Sequence, residues 1–482
     1  MKNMSRLLAG LSTVILLSVL PLVSATAVQN TTNPRLVDAV QRGDLNAIRE
    51  LLQNHADVNL AQPDGSTALI LAADRDDLIA ADLLIGAGAD VNAVNEYGAT
   101  ALSVACTRGN LAMIRNLLEA QADPNAALLS GETPLMTAVD KGNLEAVRAL
   151  LEHGAHINAK ENRGDQTALM WAVANAHSQI VKLLVEHGAD VHARSKGDFS
   201  PLLFAAQQGD VAVGRTLLEA AAEVNEFRIS DGMTALMVAA AGGHNEFAVL
   251  LLSKDANPDM TDERGQTALH YAAPDPKRVG LVQALLAHGA DPNARTTNDS
   301  PRNNYAGISL KGATPLFLAA SVGNVETVRA LIAGRADPFM TTDGKTAPLQ
   351  VAAGGSDPYT RDWTDEEKRN LLETTKLLVE LGADINAAGE HRWTALHGAA
   401  YKGMDSVVQF LVTKGATMDV FDEYGQTPLS IANAVITVGI NDHYFQSSRI
   451  VRQSTADLLL KLGAAPLLDS GVQILKNFYK QQ

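Results

Sequence analysis

Apolar residues in this chain fall into a pattern that begins again about every thirty-three positions. One pass of it reads Thr133-Pro-Leu-Met-Thr-Ala-Val, then Gly142-Asn143, then Leu144 to Glu152 with Val147, Leu150 and Leu151 as an apolar stripe, then Gly154-Ala155 and a polar stretch. Leu135, Ala138 and Val139 recur at three and four residues, which predicts a short helix with one buried face. Thr133 suits the cap of that helix and Pro134 its first position, where a missing N–H costs nothing. Gly142 ends it, because the turn into the second helix favours a positive φ. Residues 155 to 163 are polar and turn-rich and are expected to form an extended finger.

The anchoring hydroxyl recurs at Thr67, Thr100, Thr133, Thr167, Ser200, Thr234, Thr267, Thr314, Thr346, Thr394 and Thr427, and a unit without it precedes them at residues 32–64. The intervals are 33, 33, 34, 33, 34, 33, 47, 32, 48 and 33, so two of them hold a repeat plus an insertion. A period of this kind predicts an all-α solenoid of about twelve helix-turn-helix units with finger loops. Each helix spans roughly two to three turns, too few to hold alone in water, so every unit must bury its leucines and alanines against both neighbours. Alanines such as Ala68, Ala101, Ala168 and Ala268 keep the first helices thin, so the array is expected to curve with first helices and fingers on its concave side. Asp76, Ala176 and Pro276 replace the inter-helix glycine, and their junctions are expected to be locally reshaped.

The ends and the bulk composition add a location and exclude some chemistry. Lys2 and Arg6 precede an apolar run from Leu7 to Val23 and a small-residue exit at Ser24-Ala-Thr-Ala27, which reads as an export signal over residues 1–27. The expected location is therefore periplasmic or secreted, with no stable membrane insertion once the signal is cleaved. The net charge of −15 argues against nucleic acid as a partner and permits a cationic one. Cys106 is the only cysteine and sits where other units carry Ala, so it is expected to be a packed thiol, and stability must come from stacking. His153, His187, His288 and the shifted His55 stand at second-helix ends, where a histidine meets the last carbonyls. His270 and His397 lie three repeats apart and cannot share an ion. No spacing pairs a nucleophile with a base or sets out metal ligands, so neither catalysis nor a metal or cofactor is expected.

Thr267-Ala-Leu-His270, Thr394-Ala-Leu-His397, Thr133-Pro-Leu-Met136 and Thr314-Pro-Leu-Phe317, each followed by paired alanines, glycine and a leucine pair, resemble the ankyrin repeat family across residues 32–465. With the export signal, the chain resembles a bacterial periplasmic member of it. The resemblance implies a left-handed superhelix and recognition of a protein partner through the concave face and finger tips, without catalysis. The solenoid is expected over residues 28–465, with insertions near 296–312, 356–370 and 436–453, and residues 466–482 as a capping helix or tail. The chain itself is expected to be monomeric.

Because the repeat explains most polar residues as scaffold, candidate contacts lie where it is broken. Arg302 and Tyr305 stand in the first insertion, and Tyr359 and Trp363 in the second, where Thr364-Asp-Glu-Glu367 reads as a helix start. Tyr97, Phe227, Trp393 and Tyr424 stand in fingers; Trp393 and Tyr424, with Phe339 and Phe421, point to units nine to twelve as the working surface. The expected function is a non-catalytic scaffold that binds another protein outside the cytoplasm. An accessory or inhibitory subunit of a periplasmic enzyme and a small-ligand module are the alternatives.

Overall fold

Each unit is a helix, a sharp turn, a second helix and a finger, and the computed structural model describes this arrangement over residues 35–298, 309–354, 363–433 and 451–466. The expected leader at 1–27, residues 436–450 of the third insertion and residues 467–482 of the expected capping helix or tail lie outside the described residues. Twenty-four α-helices fall into twelve pairs, with two isolated β-bridges and no strand among the described residues. The model unit pairs Pro134–Asp140 with Leu144–Glu152. First helices pack on first helices and second on second from one end to the other, giving an all-α repeat solenoid. Its core is a row of alanines and leucines, and Cys106 lies in it at 1% exposure, with burial pushing the thiol up to about 12.

The capping hydroxyl works as expected in most units. Thr133 Oγ1 accepts the Met136 N–H at 3.3 Å, and Thr67, Thr167, Thr234 and Thr314 do the same for the residue three ahead. Unit ten departs from the expected anchor at Thr346. Its first helix is Pro348–Gly354, so Ala347 precedes the first helical residue and the Gln350 side chain accepts the Ala347 N–H. From Pro315 to Pro348 the period is thus 33 residues, and from Pro348 to Ala395 it is 47, equal to the interval between Ala268 and Pro315. Both insertions are the same length once helix starts rather than hydroxyls are aligned.

The inter-helix turn explains a second recurrent motif. Gly142 takes φ 66° and sends its N–H to Val139 O, while Asn143 sends its own to Ala138 O. Contrary to expectation, Asp76 (φ 62°) and Ala176 (φ 57°) are not reshaped; they make the same two bonds by adopting the left-handed conformation that a Cβ disfavours. At Pro276 the junction is rebuilt: the first helix shortens to Ala268–Ala272 and a 3-10 turn, Pro276–Arg278, leads into the second. The Asn or His after the glycine reaches the preceding unit. Asn143 Nδ2 donates to Gly109 O at 2.9 Å, Asn324 Nδ2 to Ala273 O at 3.0 Å, and His244 Nε2 lies 2.9 Å from Gln207 O.

Finger bases are tied in the same way. Asp90, Asp123 and Asp190 accept an N–H two residues on, which makes the local turn. The asparagines beside them span to the next unit. Asn92 Oδ1 accepts the Asp123 N–H at 2.7 Å and its Nδ2 donates to Gln121 O at 3.4 Å. Asn59, Asn125, Asn158 and Asn386 repeat the pair of bonds. A side chain with one acceptor and two donors can bridge both groups at once, which Asp cannot.

Histidines divide into two structural kinds. Those at 153, 187 and 288 place Nδ1 2.8 Å from the carbonyl four residues back, as expected of helix ends. His270 and His397 are buried clamps: Nδ1 accepts the N–H of Thr267 or Thr394, and Nε2 faces a carbonyl of the following unit, Ala313 or Gln426, at 3.2 Å. This bonding uses the neutral ring, and burial pushes both pKa values down to about 4.

Three outcomes follow from these ties. Asn92→Ala removes two inter-unit bonds at an exposed site, and urea unfolding is expected to show a loss of about 1 kcal/mol. Ala176→Gly relieves a left-handed Cβ and is expected to raise the unfolding free energy by about 1 kcal/mol. For the clamps, the folded pKa lies below the unfolded value of about 6.5, so only the unfolded chain takes up the proton as pH falls through that window. Stability is therefore undiminished by them above about 6.5 and declines toward about 4, by ~3 kcal/mol for each ring. The pH dependence of the urea midpoint should be shallower over that range in His270→Gln/His397→Gln than in the unaltered chain.

Candidate finger-tip interface

Finger tips carry their own backbone ladder. Glu96 N–H donates to Asp64 O at 2.9 Å, Leu129 to Tyr97 O at 3.2 Å, Asn162 to Ser130 O at 2.9 Å and Lys196 to Gly164 O at 2.7 Å. Farther along, Glu263 donates to Asp231 O, Thr297 to Arg264 O, Asp343 to Lys311 O and Glu423 to His391 O. Because backbone bonds hold adjacent tips in register, their side chains are free to face outward. Tyr97 is 62% exposed, Leu129 74% and Ile229 81%, and Phe227 and Phe421 are exposed as well, whereas Phe339 is exposed at a finger base, its N–H donating to Asp337 as that of Asn92 does to Asp90. In a chain whose other large apolar groups are mostly buried, this row is the main apolar surface that the fingers offer.

Of the sequence candidates, Tyr97 and Phe227 are thus exposed, four units apart. Trp393 and Tyr424 are brought together on adjacent fingers and are half-buried. Trp393 Nε1 donates to Asp422 Oδ2 at 3.1 Å, and its ring stacks on His397 at 6.4 Å and leans on Tyr401 at 5.7 Å. Tyr424 lies against His391 at 5.5 Å, with its hydroxyl 3.1 Å from Nδ1, and the same nitrogen meets the Glu423 carboxylate. Burial raises the Asp422 carboxyl, and its hydrogen bonds to Gln426, Tyr424 and Trp393 oppose that shift. These two aromatics spend much of their surface on joining fingers. Leu129 and Ile229 escaped the sequence reading, which searched for aromatics; the readable signal was an apolar residue at a tip where other units carry Glu96, Glu263 or Glu423.

Part of the second insertion is helix. Trp363 is buried at 9% exposure in the core, and from Thr364 onward the second insertion becomes helix, extending the second helix of unit ten to Asp365–Glu380. Thr364 and Glu367 form the capping box that the sequence suggested. The neck of the first insertion is closed by Thr296, whose N–H donates to Ala313 O and whose carbonyl accepts the Gly312 N–H. Glu390 accepts the Ser309 N–H at 2.8 Å from two units away. Arg302, Tyr305 and Tyr359 lie outside the described residues. Among the described residues no group of His, Cys, Asp and Glu could hold a metal ion, and no helix is long and apolar enough to cross a membrane.

A family model of ankyrin repeats, three copies long, matches residues 36–127, 122–195, 202–296 and 367–435, and a single ankyrin repeat matches 311–343. The chain is 32% identical over 234 residues to Ankyrin repeat and SOCS box protein 16 of Homo sapiens, 48% of this chain and 47% of that protein. It is 32% identical over 167 residues to Putative E3 ubiquitin-protein ligase XBAT35 of Arabidopsis thaliana, 33% of each. The crystal structure of the human ASB11 ankyrin repeat domain is similar at 30% identity over 47% of this chain and 100% of that one, with a TM-score of 0.40. The chain spans about half the length of the first of these curated relatives.

These relatives overturn the expected periplasmic or secreted location. They are SOCS box proteins and a putative E3 ubiquitin-protein ligase from human, mouse, cattle and plant, neither periplasmic nor secreted, and nothing in them points to a bacterial origin. An apolar run behind two basic residues is a short compositional signal, whereas the relatives match through whole folded repeats. The reading as a subunit of a periplasmic enzyme falls with it. The chain belongs to the ankyrin repeat family, a non-catalytic fold used for protein–protein interaction.

Proposed function

We propose that this chain is a recognition scaffold that holds a protein partner against its finger tips and the first-helix face behind them, with the insertions near 296–312 and 356–370 extending that surface. The observation that carries this reading is the row of exposed apolar tips on fingers whose backbones are tied to one another. A stiff support lowers the ordering cost of binding, and large apolar or aromatic side chains supply most interface energy. Second-helix faces offer a poorer surface, since exposed positions there are mostly charged and partly paired, as in Arg115 with Glu145 and Arg148 with Glu145. Trp393 and Tyr424 would act by setting the angle between the last fingers, in addition to any contact of their own.

Site-specific photo-crosslinking tests the reading. A benzophenone side chain placed at Tyr97, Phe227 or Phe421 is expected to capture a common partner from cells expressing the full chain, and one at Arg115 or Lys182 is not. Capture from the second-helix positions alone, or equally from both faces, would defeat the proposal.

A further inference from the structure

The apolar tips are not equivalent, because the charge around them changes along the array. The first three fingers, residues 54–66, 87–99 and 120–132, contain Asp57, Asp64, Asp90, Glu96, Asp123 and Glu132 and neither Lys nor Arg. None of the six is in an ion pair among the described residues. Several later finger carboxylates are instead paired with a basic side chain: Arg194 meets Asp198 at 3.3 Å and Glu226 at 3.4 Å, Arg228 meets Asp231, and Arg295 meets Asp343 at 2.9 Å. Arg75 and Arg108 of the first units stand at the far ends of the first helices, and Arg108 is engaged by Asp74.

Within this one-sign field lie two of the most exposed apolar tips. Tyr97 and Leu129 are joined by the bond from Leu129 N–H to Tyr97 O, and Val94 is exposed beside them. The Glu96 carboxylate, by hydrogen bond and by charge, raises the Tyr97 phenol, and burial and Asp64 add to the shift. Burial, then Glu161 and Asp140, raise the Glu132 carboxyl. Asp57, Asp90 and Asp123 are held by the turn bonds they accept, whereas the Glu96 and Glu132 side chains are not needed for any turn.

We infer that Tyr97, Leu129, Glu96 and Glu132 form a docking surface for a cationic segment of a partner protein that brings apolar anchors between its Lys or Arg residues. This rests on the recognition reading above and narrows it. The apolar pair supplies the contact area, and the uncompensated carboxylates select the sign of the segment. Nucleic acid and anionic lipid are repelled by the same carboxylates, and a second copy of a chain carrying −15 is a poor occupant for them. Fingers spaced by roughly 10 Å make the three-finger surface about 20 Å long, the reach of an extended segment of about six residues.

The test uses the immobilised full chain and a phage-displayed library of random peptides of about 12 residues. Enriched peptides are expected to carry excess Lys and Arg interleaved with Leu, Phe, Tyr or Trp. A fluorescent copy of one of them should bind about tenfold or more weakly to Tyr97→Ala/Leu129→Ala. It should bind several-fold more weakly to Glu96→Gln/Glu132→Gln, and that second loss should fade as NaCl rises from about 50 mM to about 500 mM. Glu96→Lys/Glu132→Lys should prefer the same peptide with its basic residues changed to Glu, a gain that no folding defect produces. Enriched peptides without positive excess, or binding indifferent to all three variants, would overturn the inference. Peptides lost only on changing Phe339 and Phe421 would remove this surface and leave the recognition reading standing; no enrichment at all would remove both.

Discussion

Everything in this molecule depends on polar side chains that cross from one unit to the next. A unit of two short helices has no stable existence alone, and its alanines and leucines are buried only when neighbours are present on both sides. Apolar contact alone would let stacked helices slide or rotate. Asn92 and its equivalents at the finger base, Asn143, His244 and Asn324 at the inter-helix turn, and His270 and His397 beneath the first helix prevent it, because each satisfies defined backbone groups of an adjacent unit. Each bond contributes about 1 kcal/mol on its own, but their number per boundary sets the register of the whole array.

That constraint also decides which residues remain for function. Histidines, asparagines and aspartates recur so often that they invite a catalytic or metal reading, yet many of them, such as His153, Asn92 and Asp90, are committed to caps, boundaries and turns. The same holds for Trp393 and Tyr424, whose polar atoms bind across the last two fingers. Residues that the scaffold does not use stand at the tips, where the backbone ladder fixes the main chain and leaves side chains such as Tyr97, Leu129 and Ile229 in solvent.

Charge is distributed with a similar asymmetry. Several fingers from the middle of the array onward carry both signs and join some of them in pairs, as Arg194 does with Asp198 and Glu226 and Arg228 with Asp231. Exposed pairs of this kind add little stability, but they cancel the field at the tips. The first fingers lack the basic partner and keep their field, which is why two ends of one repetitive surface differ in the partner chemistry they favour.

The sequence alone determined the all-α solenoid, the twelve units, the threonine caps, the packed Cys106 and the histidines at second-helix ends, since each rests on local spacing and backbone rules within a few residues. Only the tertiary structure decided what crosses between units. Asn92 looks like a turn residue in sequence, because its partners Asp123 and Gln121 lie in the next repeat. Asp76 and Ala176 look like breaks, yet both keep the left-handed turn and its backbone bonds. Thr346 looks like a cap, yet the helix starts after Ala347. Trp363 looks like a loop aromatic, yet it completes the core at the start of a lengthened helix. For Asn92 and Trp363 the deciding partner is supplied by a neighbouring unit or by the packed core, and a period read along one dimension carries no information about which atoms that partner presents.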